Sequence, residues 1–364
     1  MSPLRTPLRL VLIGDGESPH LLKWVRALAA LSQQVELHAV SSRGFLPEIE
    51  ALLPAERRLA LGHAMQFEGG NGGLLRQLPR LARWLKAVRP DWLAPHYLTS
   101  HGTLAWLAVR VFGVQARIAG SAWGSDILVT PGRSALMRWV TGRVLRACTL
   151  CTSDSQHMTA RMRALGAGEV MIFPFGLEAL PPAPGAKDAN LFFANRGLEP
   201  IYQPQRVLAV FAALAADWAE ARLVLAHDGS LRAGLEAQVA RDRQLQGRVR
   251  FVGRLDAATQ ARWYARAGWY LSLPQSDSVS VSVLEAMAHG CVPILSDLPA
   301  NRELVADGRN GVVLADGEVL SRPRLAALAL RGGEVAAANR EWVVQHALFP
   351  RSVAAYVQRL QALS

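Results

Sequence analysis

The chain has 364 residues, too many for one ordinary core, so two domains are expected. Hydrophobic residues make up 51% and charged residues 19%, which excludes a disordered chain, and three cysteines are too few and odd for a disulfide scaffold. The formal net charge of +11, carried mostly by arginine, favours anionic partners: phosphates, nucleic acid or an anionic membrane face. No apolar run reaches the about 20 residues of a membrane span, and the apolar part of the N-terminus is too short for a signal peptide. A cytoplasmic protein is expected.

Leu8–Gly14 (LRLVLIG) reads as a buried strand. The loop GDGES follows, then a helix from Pro19 with Ser18 as its cap. Strand, glycine loop and helix make a mononucleotide-type unit, but the loop lacks the GxGxxG fingerprint of dinucleotide sites. VELHAV is the next strand, and Gly69–Gly73 (GGNGG) reads as a flexible loop. The helical stretch LLRQLPRLARWLKAVRP interleaves apolar residues with Arg76, Arg80, Arg83, Lys86 and Arg89. Its basic face is either simply solvated or attached to an anionic membrane with help from Trp84.

DWLAP is a strand leading to His96, HGTLAWLAVRVFG a helix, RIAGSAWGSDIL a strand and loop, and SALMRWVTGRVLRAC a second basic amphipathic helix. Cys148 and Cys151 make a CxxC pair without the partners of a zinc site, so buried thiols are expected. Strand CTLCTSD, a helix and strand EVMIFPFG complete this half. The Pro/Gly-rich Leu180–Asp188 reads as a linker. Alternation then restarts with strands LFFANRG, ARLVLAHDG, RVRFVGRL, GWYLSL, VPIL and GVVL, helices between them, and a helical tail broken near Pro350.

Steady strand–helix alternation argues for parallel α/β sheets, one per half. The stretch LSLPQSDSVSVSVLEAMAHGCVPILSD is the most specific in the chain. A strand, a loop with free N–H groups and a helix start form an anion cradle. Gly290 suits the end of that helix because glycine tolerates positive φ.

With RLVLAHDGSLR, RVRFVGRL and ANRELVADGRNGVVL in order around it, and IGDGESPH, PDWLAPHYL and SAWGSDIL upstream, this stretch resembles retaining glycosyltransferases of family 4. The resemblance implies the GT-B fold, with two Rossmann-like domains facing across a cleft and a C-terminal helix crossing back to the first. The implied boundaries are 1–180 for the acceptor side, 181–342 for the nucleotide-sugar side and 343–364 for the crossing helix. It further implies transfer of a sugar from a nucleotide donor, UDP- or GDP-linked, to a glycan or lipid-linked cell-envelope acceptor. Anomeric configuration would be retained, and neither metal nor cofactor would be required.

The family's Glu-x7-Glu motif stands here as Asp277-x7-Glu285. By resemblance Glu285 accepts from the ribose hydroxyls and Asp277 meets the transferred sugar. Ser280, Val281 and Ser282 offer main-chain N–H groups to the diphosphate. Arg196 matches the family's phosphate arginine, and His96 its histidine near the reacting sugar. Gly14 and Gly16 allow close approach in the first loop, and Val252–Gly253 lie against the base. Ser125 and Asp126 face the acceptor, although Asp126 could merely cap a turn. The chain departs from the pattern in lacking the lysine that follows the arginine, in reading Ser278-Val279-Ser280 for Gly-Phe-Gly, and in the shortened first acid.

Two other readings share the fold: a sugar-nucleotide epimerase, and a non-catalytic partner subunit. Peripheral contact with an anionic membrane through the basic N-terminal-half helices is a further expectation. Nucleic acid is not expected, because no basic-aromatic recognition module is present.

Overall fold

The computed structural model describes residues 7–63 and 72–364. The first six residues and residues 69–71 of the Gly69–Gly73 loop lie outside the described residues, while Gly72 and Gly73 open a short helix, Gly72–Arg76. The chain forms two compact units, Met1–Phe173 with Phe349–Ser364, and Pro174–Leu348.

The first unit is built on β1 (Leu8–Gly14), β2 (Val35–Ser41), β3 (Arg58–Ala60), β4 (Trp92–Pro95), β5 (Arg117–Ser121), β6 (Leu150–Ser153) and β7 (Val170–Ile172). They form one parallel sheet in the order β3-β2-β1-β4-β5-β6-β7. β1 carries Leu10, Val11, Leu12 and Ile13, all fully buried, because helices cover both faces of a parallel sheet. Cys148 and Cys151 are buried free thiols in this core.

The last helix, Phe349–Leu363, belongs to this first unit. Phe349 and Tyr356 meet Trp24 edge to face at 5.1 and 5.4 Å, the geometry aromatic quadrupoles prefer. Arg359 forks onto Glu169 with two 2.6 Å bonds at the surface. The tail breaks between His346 and Phe349, next to Pro350, which sits in the first turn of the new helix where proline is tolerated.

The second unit holds β8 (Asp188–Ala194), β9 (Arg222–Ala226), β10 (Val249–Gly253), β11 (Ala267–Ser272), β12 (Val292–Ser296) and β13 (Val312–Leu314). Their order is β10-β9-β8-β11-β12-β13, again all parallel. In each sheet the order reverses direction once, between β1 and β4 and between β8 and β11. Neighbouring loops part at such points, and ligands of open α/β sheets bind there, beyond the carboxyl ends of the strands.

Sequence reading missed β3, a three-residue edge strand, and the π-helical turn Tyr97–Gly102 ahead of the helix Thr103–Arg110. Helix Leu78–Val88 turns Leu78, Leu81, Ala82 and Leu85 into the core, and Trp84 is half-buried against it. Its apolar face is therefore already used.

Replacing Phe349 by Ala should destabilise the protein by about 3–5 kcal/mol, because the helix loses its fully buried anchor. Arg359→Ala should leave the melting temperature near wild type, as an exposed ion pair contributes little. Thermal denaturation of both variants checks this contrast.

Candidate active site

In the second unit β8 ends at Ala194, and Asn195 and Arg196 follow at the switch point. The guanidinium of Arg196 lies 2.7 Å from Asp277 Oδ2, an ion-pair contact without hydrogen-bond alignment. It donates to Ser280 Oγ and, at 3.4 Å, to Ser282 Oγ, and it stacks 4.4 Å over the Tyr202 ring. Ser280 is the N-cap residue of helix Val281–Ala288 but makes no side-chain cap bond. Its hydroxyl faces Arg196 and Ser282 instead, so cation and helix start meet on the same serines. The carboxyl of Asp277 is pushed up by burial, which outweighs the opposing pull of Arg196.

Asn195 points the other way. Its Oδ1 accepts from Tyr270 Oη at 2.7 Å and its Nδ2 donates to Tyr264 Oη at 2.8 Å. Tyr264 Oη lies 3.1 Å from Glu285 Oε2, and Gln260 Nε2 donates to the same oxygen at 3.2 Å. Burial drives both phenols well above their ordinary range, so they remain protonated. Gly290, two residues past this helix, takes φ +82° as its position requires.

Val252 and Gly253 close β10, where the register with β9 shifts between Phe251 and Gly253. The Gly253 carbonyl accepts from His227 N–H at 2.6 Å, so that carbonyl already has a donor. No lysine follows Arg196; Glu199 in that stretch accepts from Ser230 and ties two loops together. Arg206 is turned to the end of β13, where it donates to the Leu314 and Ala315 carbonyls at 2.9 and 2.7 Å.

In the first unit, Gly14 ends β1 and His96 follows β4 at the other switch point. A Cβ on Gly14 would sit 3.8 Å from His96 Cβ. A Cβ on Gly16 would fall 2.4 Å from the Gly44 carbonyl oxygen, so the protein's own backbone accounts for that glycine. His96 donates its backbone N–H to Ile13 and packs between Trp24 and Trp123, with ring centroids 5.2 and 5.5 Å away. Its Nε2 is buried without a hydrogen-bond partner. Burial, reinforced by His101 and His20, lowers its pKa to about 3, so the ring is neutral. The next residue, Tyr97, holds φ +61°, a costly conformation for a non-glycine, while its ring stacks on Trp123 at 5.6 Å.

Asp126 is 2% exposed, and its two oxygens accept from Leu98 N and Trp123 N, each at 2.9 Å. The turn-capping alternative therefore describes its side chain, which ties the Trp123 loop to the π-helical turn. Ser125, beside it, is exposed. Sequence reading did not single out Tyr264, Asn195, Tyr270, Gln260 or Tyr97. Asn195 adjoins the matched arginine, which is a usable signal; Tyr264 lies 21 residues before Glu285 on another helix, and no local pattern reports it.

Residues 190–327 match a family model described as glycosyl transferases group 1, and residues 9–155 match one described as glycosyl transferase 4-like. Together they cover most of the chain, which is a GT-B-fold glycosyltransferase resembling these types. A curated relative, D-inositol 3-phosphate glycosyltransferase 2 of Catenulispora acidiphila, is 26% identical over 351 residues, covering 85% of this chain and 81% of its own. Anabaena HepE, solved in complex with UDP and glucose, has a TM-score of 0.75 at 14% identity, covering 98% of this chain and 100% of its own. The lipopolysaccharide outer core galactosyltransferase WaaB has a TM-score of 0.71 at 16% identity, covering 95% and 98%. At these identities the structural likeness is one of fold.

The histidines give the first unit an acid sensitivity. The folded state holds His96 near pKa 3 and His101 near 4, against 6.5 for the free side chain. The unfolded chain thus binds more protons, and stability is lost as pH falls from 6.5 towards 3. Denaturant melts across that range should show His96→Gln with a shallower acid loss than wild type; an unchanged slope would contradict the buried neutral ring.

Proposed function

We propose that this protein transfers a sugar from a nucleotide-sugar donor, UDP- or GDP-linked, to a glycan or lipid-linked cell-envelope acceptor, with retention of anomeric configuration. The observation that carries the reading is Arg196, held against Asp277 and the two serines that open helix Val281–Ala288. A leaving nucleoside diphosphate gains negative charge as the sugar departs. An arginine and the free N–H groups of a helix start are fixed where that charge can be met. UDP, or UDP-glucose, occupies the solved structures of HepE, whose fold this chain shares. WaaB, acting on lipopolysaccharide by its name, supports an envelope glycan as the acceptor class.

In this reading Arg196 and the backbone N–H groups of Ser280, Val281 and Ser282 hold the diphosphate. Glu285 accepts from the ribose hydroxyls, as an ionised carboxylate suits a vicinal diol. Asp277 meets the sugar once the diphosphate takes its place beside Arg196. Val252 and Gly253 flank the base. In the first unit Gly14 lets the first loop come close, and Gly16 keeps that loop folded. His96 supplies a neutral ring nitrogen near the sugar, and the loop at Ser125 borders the acceptor with Asp126 fixing its shape. Charge neutralisation comes from Arg196 and helix amides rather than from a metal.

A screen of nucleotide sugars reading released nucleoside diphosphate tests the reading. One UDP- or GDP-sugar should turn over, and EDTA should leave that rate unchanged. Glu285→Ala should raise KM for the donor about tenfold, and Arg196→Ala should cut kcat/KM about 10- to 100-fold, the range for charge-assisted hydrogen bonds. Equal release by wild type and both variants from every donor would sink the assignment.

The peripheral membrane partner is placed by this reading on helix Ala135–Ala147. There Leu136 and Trp139 are 62% and 51% exposed, and Arg143 lies 5.3 Å over the Trp139 ring. Exposed apolar side chains among arginines are the pattern of an interfacial helix. Among the described residues no helix is long and apolar enough to cross a membrane. Co-sedimentation with vesicles containing anionic lipid should fall on Leu136→Asp with Trp139→Asp; undiminished binding would move the contact elsewhere.

A further inference from the structure

We propose that Tyr264 is a positioning residue for nucleotide recognition, acting through Glu285 and itself aligned by Asn195 and Tyr270. The inference rests on the reading of Glu285 as the ribose ligand.

The argument follows the hydrogens. An ionised carboxylate only accepts, so the 3.1 Å contact between Glu285 Oε2 and Tyr264 Oη requires the phenol's proton. Tyr264 Oη then meets its other neighbour, Asn195, as an acceptor, which fixes the amide with Nδ2 towards Tyr264 at 2.8 Å. Asn195 Oδ1 is left facing Tyr270 Oη, which donates at 2.7 Å. Every bond in the series thus has one direction, ending on Glu285. The phenol's single proton has one competing acceptor, the Ser282 carbonyl at 3.2 Å. That carbonyl belongs to the helix start proposed to hold the diphosphate, so Tyr264 touches both the acid and the backbone of the cradle. Gln260 adds a second donor on Oε2 at 3.2 Å. Two donors converging on one oxygen fix the plane of the carboxylate.

The Tyr264 side chain is 1% exposed, so it acts on a bound nucleotide through Glu285 rather than by reaching solvent. Placing the Glu285 rotamer in advance removes an ordering cost from binding. Asn195 joins this series to the phosphate side, because the next residue is Arg196. One strand end therefore sets the orientation of both acids, Glu285 through Asn195 and Tyr264, and Asp277 through Arg196.

The test is calorimetric titration of UDP and 2′-deoxy-UDP into the full chain. Wild type should prefer the ribonucleotide. Tyr264→Phe, nearly isosteric, should weaken UDP binding about tenfold and bring the ribo-to-deoxy ratio towards one, the scale of one charge-assisted hydrogen bond. In the Tyr264→Phe, Glu285→Ala double variant, UDP affinity should match Glu285→Ala alone within about twofold, since a residue acting through Glu285 has nothing left to position. Asn195→Asp, which keeps Tyr264 but draws its proton backwards, should lower the same ratio and covers the case of a poorly folded Tyr264→Phe. A retained ribo-to-deoxy ratio in folded Tyr264→Phe, or a loss in the double variant that multiplies the two single losses, would overturn the inference. If Glu285→Ala itself keeps the wild-type ratio, the ribose reading fails first, and the two failures are distinguishable.

Discussion

Arg196 is a cation withdrawn largely from water, and the carboxylate facing it is Asp277. Taking both charges out of solvent costs several kcal/mol per ion, and an ion pair recovers this only with further hydrogen bonds. Here Ser280 and Ser282 supply them. The compensation is incomplete on the acid side, since burial still holds the Asp277 carboxyl above its ordinary range. A second anion arriving beside Arg196 would therefore displace a carboxylate that is poorly solvated where it stands. This is a physical reason for a diphosphate to bind here, independent of any motif.

The arrangement depends on the sheet. β8 and β11 are neighbours across the switch point, and their loops leave in opposite directions. The strand end at Asn195–Arg196 thus faces the Asp277 loop and helix Val281–Ala288 together. The two residues lie just past the strand, and their side chains diverge. Arg196 goes to Asp277 and the serines, and Asn195 to the two tyrosines. The first unit repeats the topology, with His96 and Gly14 at its own switch point. There Asp126, Tyr97 and Trp123 form the scaffold, and the strained φ of Tyr97 is balanced by its stacking and by the amide bonds to Asp126.

The two parallel sheets were legible because their central strands are continuous apolar runs, whereas the GT-B arrangement came from the family resemblance. LRLVLIG and VPIL announce burial on both faces without tertiary information. β3 was not, because RLA is three residues at a sheet edge beside charged neighbours. The break near Pro350 was legible because proline is not tolerated inside a helix; Pro350 stands in the first turn of the new one. Asp277, Ser280 and Ser282 could be read as one group because six residues contain them. Arg196 joined them through a family resemblance, being 84 residues from Ser280. In the Tyr270–Asn195–Tyr264 series only Asn195, next to Arg196, carried a sequence signal; the bonds span 75, 69 and 21 residues, and the two tyrosines also read as ordinary core. Asp126 shows the reverse case: a suggestive acid in a glycine loop whose oxygens are consumed by backbone.

The central claim is that a nucleoside diphosphate binds where Arg196 now meets Asp277. A crystal structure of the protein with UDP tests it most directly. The account predicts diphosphate oxygens within hydrogen-bonding distance of the Arg196 guanidinium and the N–H groups opening helix Val281–Ala288, with the Arg196–Asp277 contact lengthened. A diphosphate bound elsewhere, with Arg196 still paired to Asp277 as it is here, would contradict it.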